Sequence, residues 1–186
     1  MFDHLIQKDR ELLIYLNNLG SEQWDFLWLG ITNQFYWAPL FAFLIYLIFK
    51  ALGWRKGVFV LFTMVILITF SDQFANFIKN HFMRFRPNNN IAIQDQLRTL
   101  INPQSSSFYS GHATTSSLVT VFIILLLKNK YKYIWFLILF PLIFGYSRLY
   151  LGVHFPLDIL GGYVVGLVFG TLFYLIYSAA DKKLFT

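Results

Sequence analysis

Mostly apolar stretches close to twenty residues long recur along this chain, and no other feature limits its folding as much. The first covers roughly 33–52, "NQFYWAPLFAFLIYLIFKAL". The second runs from Gly57 to about Lys79, the third from His112 to Leu127, the fourth from Tyr133 to about Tyr150 and the fifth from Pro156 to about Ser178. About 20 helical residues cross the ~30 Å hydrocarbon core of a bilayer. Backbone polar groups find no water there, which leaves helices or closed barrels as spanning elements. Composition agrees. The chain is 57% hydrophobic and only 13% charged, whereas soluble domains carry about 25% charge. The expected fold is all-α: one domain over 1–186, a polytopic transmembrane helical bundle of about five spans.

The segments around the bundle fix further expectations. Residues 1–32 carry Asp3, Lys8, Asp9, Arg10 and Glu11 where a signal peptide needs an apolar core. Leu5, Leu12, Leu16 and Leu19 recur near helical spacing, so this part reads as an amphipathic helix lying on the membrane interface, or as a short soluble lead-in helix. Residues 33–178 form the bundle. The only long connection, 84–111, is rich in Asn, Ser, Gln and Pro and reads as an extended polar loop on the outer side. The net charge of +6 does not point to nucleic acid, because the bases are scattered between apolar segments. One set of connections holds Lys50, Arg55, Lys56, Lys128, Lys130, Lys132, Lys182 and Lys183 against Asp181, and the other side holds all remaining acids. Lys and Arg excess marks the cytoplasmic face. The expectation is therefore an inner-membrane protein with a cytoplasmic C-terminus and its long loop facing the periplasm. The absence of cysteine rules out disulfides and cysteine nucleophiles.

Three polar clusters interrupt the apolar pattern, all on that outer side. Lys79 and Arg86, in "KNHFMRFRP", lie two helical turns apart and are expected to share a face at the end of the second span. Asp72 and Asn76 fall on the same stripe. Asp72 reads either as a partner of Lys79 or as a polar contact between helices. "SGH" places Ser110 as N-cap of the third span, Gly111 where backbone can approach a ligand, and His112 in the first turn. A helix N-terminus with free N–H groups suits an anion. "SRLYLGVHFPLD" then sets Arg148, His154 and Asp158 within eleven positions.

Together these make a phosphate site. Arginine binds two phosphate oxygens at once, and Lys79, Arg86 and Arg148 supply three cations. The two histidines divide into nucleophile and acid: His154, oriented by Asp158, attacks phosphorus, and His112 protonates the departing oxygen. Water then hydrolyses the phosphohistidine, with His112 as base. This account uses no metal and no cofactor.

Lys79-x6-Arg86-Pro87, Ser110-Gly111-His112 and Ser147-Arg148-x5-His154-x3-Asp158 resemble the three signature motifs of the type 2 phosphatidic acid phosphatase (PAP2) superfamily. The resemblance implies a metal-independent membrane phosphatase of lipid phosphates. It implies phosphate binding by Lys79, Arg86, Ser110, Gly111 and Arg148, the acid role for His112, the nucleophile role for His154 and its orientation by Asp158. Tyr109 stands where the family usually has Pro, a departure that bears on loop rigidity and substrate choice. The expected substrate is a carrier-lipid diphosphate such as undecaprenyl diphosphate. Phosphatidylglycerol phosphate, phosphatidic acid and lipid A phosphates are the alternatives, with a lipid-phosphate transporter or binding protein as a distant one.

Overall fold

The computed structural model describes residues 2–185, which form six α-helices joined by short 3₁₀ segments and one long loop. They are α1 (Phe2–Asn18), α2 (Glu22–Thr32), α3 (Ala38–Phe82), α4 (Gly111–Leu127), α5 (Leu139–Tyr150) and α6 (Pro156–Phe185). A straight α3 of 45 residues would run to almost 70 Å, more than twice the depth of a hydrocarbon core at about 30 Å. Gly53 breaks it, at φ 76° and ψ 176°, a conformation that costs little only without a Cβ. Two limbs result, 38–52 and 54–82, matching the first two expected spans. They pack together: the Phe49 ring lies where a side chain on Gly57 would stand, 2.5 Å from that position, and stacks on Trp54 at 5.1 Å. The fourth span is composite, a 3₁₀ segment (Lys132–Ile138) running into α5.

The body of the bundle is held by carbon. Leu44 and Ile48 from the first limb of α3, Val60 and Leu67 from the second, and Leu118, Phe122, Ile123 and Leu127 from α4 form one buried cluster with Phe140, Phe144 and Tyr177. Helix α4 is the centre, buried along most of its length, with the Thr114 and Ser116 hydroxyls returned to carbonyls one turn back. Its most extensive contact is with α6, and glycines make that contact possible. Gly162, Gly166 and Gly170 recur one turn apart, and a Cβ on each would sit 2.7 Å from the Ser110, Thr114 and Leu118 carbonyl oxygens respectively. Lipid tails are as apolar as leucine, so close backbone approach replaces the hydrophobic drive that a soluble core would use. Phe62, Val65, Phe77, Leu167 and Ile176 are turned outward, where hydrocarbon is their solvent.

The N-terminal helices do more than lie on an interface. Leu5, Leu12 and Leu19 are exposed, but Leu13 and Asn17 are fully buried. The Asn17 amide donates to the Tyr150 carbonyl at 2.6 Å and the Arg98 carbonyl at 3.1 Å, and its Oδ1 accepts from the Arg98 N–H at 2.8 Å. One side chain therefore ties α1 to the end of α5 and to the long loop, using the carbonyls that a helix end leaves free. Helix α2 joins the same seam through Asp25, which accepts from Arg98 at 2.9 Å and from the Tyr150 hydroxyl at 2.7 Å.

Candidate active site

The second limb of α3 brings Lys79 to the mouth of the bundle in its last turn and stops at Met83, whose left-handed φ of 45° closes the helix. Arg86 is therefore not on the helical face that its spacing from Lys79 implied. It sits in extended backbone before Pro87 (φ −70°, ψ 155°), as the residue before a proline prefers, and it turns into the protein. Its guanidinium is buried and fully directed. Nε donates to the Ser105 carbonyl at 2.6 Å, Nη2 to the Ser105 hydroxyl at 2.9 Å, and Nη1 to the Val153 carbonyl at 3.1 Å. Nη1 also stands 3.1 Å from Nε2 of His154.

That last contact decides the state of the ring. A guanidinium has no acceptor, so the nitrogen facing it must carry the lone pair, which places the ring proton on Nδ1. His154 is buried. Burial first, then the charges of Arg86, Arg148 and Lys79, push its pKa well below the usual imidazole range. A neutral ring with its lone pair at Nε2 is the form a nitrogen nucleophile needs. On the other side, Nδ1 lies 3.6 Å from Oδ2 of Asp158. This is ion-pair range and too long for the hydrogen bond expected between them. The Asp158 oxygens are committed elsewhere: Oδ2 accepts the Phe155 N–H at 2.9 Å and Oδ1 accepts from Arg84 at 2.6 Å.

The start of α4 supplies the other half of the site. Ser110 is the N-cap: its Oγ accepts from the Ala113 N–H at 3.4 Å, and its own N–H donates to the Asp158 carbonyl at 3.1 Å. The hydroxyl is fully buried in that role. The N–H groups of Gly111 and His112 follow it, in the turn that has no intrahelical acceptors. Gly111 leaves room for a cation, since a Cβ there would sit 3.5 Å from the Lys79 ammonium. The His112 ring is exposed, packs at 5.5 Å from Phe144, and lines a cavity of about 430 Å³ with Lys79, Gly111 and Asp72. Gln34, Thr115 and Ser116 add polar groups, and Trp37, Phe41, Met64, Ile68 and Val119 are among the apolar side chains, so the cavity has both charged and apolar walls. Arg148 is buried at the end of α5 and donates to the Thr32 hydroxyl. It, Lys79, Arg86 and His154 all lie within electrostatic range of His112. Both histidines are therefore at one end of the bundle. Among the described residues, no group of three or more His, Asp or Glu side chains is arranged to hold a metal ion.

Other polar residues here gave no sign of their position in the sequence. Arg84 reads as a loop charge, yet it bridges Asp158 and Asp9 and lies over the Phe155 ring at 4.1 Å. Ser105 and Thr32 hold the two arginines from segments with no motif of their own. The doubling of arginine in "RFRP" was the one available hint for Arg84.

The model of the PAP2 superfamily matches residues 56–182 of this chain. A lipid A 4′-phosphatase of Bacteroides thetaiotaomicron is 31% identical over 188 aligned positions, covering 99% of this chain and 83% of that one. An undecaprenyl-diphosphatase of Sulfolobus acidocaldarius is 30% identical over 157 positions, covering 83% of this chain and 64% of that one. The fold matches the crystal structure of a transmembrane PAP2-type phosphatidylglycerolphosphate phosphatase from Bacillus subtilis with a TM-score of 0.72 at 22% identity, over 97% of this chain and 88% of that one. With three motifs gathered at one end of an apolar helical bundle, and a family match across most of its length, the chain belongs to the PAP2 superfamily and is a membrane-embedded phosphatase.

Proposed function

We propose that the protein removes a phosphate monoester from lipid A or a closely related glycolipid, through a phosphohistidine on His154. The reaction rests above all on one contact, the unprotonated Nε2 of His154 facing Arg86 at 3.1 Å. An entering phosphate draws the Arg86 guanidinium onto its oxygens and leaves the nitrogen lone pair free to attack. The Nε2–P bond forms as the ester P–O bond breaks. His112 gives its proton to the departing lipid oxygen. Water then attacks phosphorus, His112 takes a proton from it, the Nε2–P bond breaks and inorganic phosphate leaves. Lys79, Arg86, Arg148 and the N–H groups of Gly111 and His112 stabilise charge on the phosphoryl oxygens throughout. Ser110 contributes by capping the helix that presents those N–H groups.

The substrate differs from the one favoured on sequence alone. Undecaprenyl diphosphate gives way to lipid A because the Bacteroides relative named for lipid A aligns over almost the whole chain, and the undecaprenyl relative over less of both partners. The mixed walls of the cavity suit a lipid whose phosphate is at the polar end and whose tail lies along Met64, Ile68 and Val119. The site faces outward from the cytoplasm in this reading, as the lysine-rich opposite connections suggest.

The test is phosphate release in detergent from lipid A, undecaprenyl diphosphate, phosphatidylglycerol phosphate and phosphatidic acid. Lipid A is expected to turn over fastest, and a faster rival overturns the substrate. Turnover surviving His154→Ala overturns the phosphohistidine. The protein has no cysteine, so Lys130→Cys labelled by an impermeant maleimide only in opened cells supports the orientation. Labelling of intact spheroplasts reverses it.

A further inference from the structure

We propose that Asp9, on the N-terminal helix, is a positioning residue of the phosphatase: acting through Arg84, it sets how much of the Asp158 charge is available to His154. The inference rests on the nucleophile reading of His154 and deepens it.

The contacts form a chain. Oδ2 of Asp9 accepts from Nη2 of Arg84 at 2.8 Å, and Nη1 of Arg84 donates to Oδ1 of Asp158 at 2.6 Å. Oδ2 of Asp158 faces Nδ1 of His154 at 3.6 Å. Both carboxylates are buried: the Asp9 side chain is 1% exposed and that of Asp158 0%, against 27% for Arg84. The remaining Asp9 oxygen, Oδ1, accepts the Leu157 N–H at 2.8 Å, in the first turn of the helix that carries Asp158. The Phe155 ring lies under the guanidinium at 4.1 Å. Arg84 is therefore clamped between two carboxylates with its plane fixed, and α1 is tied to the start of α6 at the same point.

Charge gives the clamp its consequence. One guanidinium shared by two carboxylates leaves the cluster at −1. A histidine bonded to phosphorus through Nε2 while keeping its Nδ1 proton carries positive charge, and that −1 is its nearest compensation. Without the Asp9 charge, Arg84 acts on Asp158 alone, the cluster becomes neutral, and the forming phosphohistidine loses support. Neither Asp9 nor Arg84 lines the cavity beside Lys79 and His112, so the loss is expected on turnover and not on binding. A helix over 70 positions away from Arg84 in sequence thereby takes part in the chemistry.

The test uses the full chain in detergent with dioctanoyl phosphatidic acid, a short lipid that reports the phosphoryl step whatever the natural tail is. Asp9→Asn keeps an acceptor for Leu157 and removes the charge. It is expected to lower kcat about tenfold, the order expected for a charge lost at one remove in a low-dielectric site, with KM within about twofold. In an Arg84→Met background the same change is expected to add less than about twofold, because the connection is already cut. Asp9→Glu keeps the charge and should retain more kcat than Asp9→Asn. Wild-type kcat in Asp9→Asn overturns the proposal. So does an undiminished effect in the Arg84→Met background. Equal losses of kcat and melting temperature in the Asn and Glu variants place Asp9 in folding alone, and also overturn it. His154→Ala separates the two levels of inference. If it turns over, the nucleophile reading fails; if it is dead and Asp9→Asn is normal, only the role of Asp9 fails.

Discussion

Phe122 and Arg86 are buried almost equally, at 0% and 5% exposure, but by opposite means. Phe122 sits in the body of the bundle among Leu118, Ile123 and Tyr177, where no neighbour has to match a hydrogen bond. Arg86 sits at the mouth and spends its donors on Ser105, Val153 and His154. The body is specified by volume and the mouth by partners. A buried charge that loses a partner keeps its desolvation cost, whereas a core side chain exchanged for another of similar volume loses little. The two regions should therefore respond to substitution in different observables, activity at the mouth and stability in the body.

The largest effect is expected at the proposed nucleophile. His154→Ala should lower kcat by about 10⁴-fold or more, since removing a covalent nucleophile abolishes the pathway. Acid-labile phosphate trapped on the wild-type protein during turnover should be absent from the variant. Residual turnover within tenfold of wild type would place the chemistry elsewhere. Next comes geometry without change of charge. Arg148→Lys keeps the cation but loses the fork that holds Thr32 and, in the proposed reaction, a phosphate as well, and about a hundredfold loss of kcat/KM is expected. A fully active lysine variant would make Arg148 a point charge and blur the distinction between mouth and body.

The same division explains what the sequence made legible. Two of the three polar clusters were legible because each places its residues close together in the chain: Ser110-Gly111-His112 at one helix start, and Arg148, His154 and Asp158 around one turn. The apolar helices were legible because hydrocarbon imposes length and composition directly. What failed depended on where the backbone turns or on distant partners. Lys79 and Arg86 have the spacing of one helical face, but the helix ends at Met83, and no residue there announces a left-handed turn. Asp9 is indistinguishable from Asp3 until α1 docks, and its partners Arg84 and Leu157 lie 75 and 148 positions away. Gly162, Gly166 and Gly170 were visible at one-turn spacing but lay inside a segment read only for its apolarity. The apolar cavity residues Met64, Ile68 and Val119 are ordinary for any span, so the choice of lipid left no sequence signal.

Those glycines give the third prediction, and it falls on the body. A valine at 166 puts carbon 2.7 Å from the Thr114 carbonyl and the Ser117 Cβ, and α6 must move away from α4. Overpacking of this kind costs about 1–3 kcal/mol, which lowers the melting temperature in detergent by roughly 5 °C. Below the melting transition, kcat should stay within about threefold of wild type, because residue 166 lies on the second turn past Asp158. A tenfold loss of kcat at unchanged melting temperature would mean that the α4–α6 contact tunes the site as well as holding it.

The smallest effect is the sharpest check on the contrast. Leu118 is fully buried in the apolar cluster that also holds Phe122 and Ile123, and its backbone lies against Gly170. Methionine has nearly the same volume and a more flexible chain, so Leu118→Met should cost less than about 1.5 kcal/mol, a shift of at most about 6 °C in melting temperature, with turnover unchanged. The mouth has no equivalent neutral exchange, because the Arg86 and Asp158 side chains there are each held by several particular partners. If Leu118→Met reduces turnover as Arg148→Lys does, packing in the body is transmitted to the phosphate site through α4, whose first turn carries His112. The two halves would then be one cooperative structure, and their burial by opposite means would no longer separate stability from catalysis.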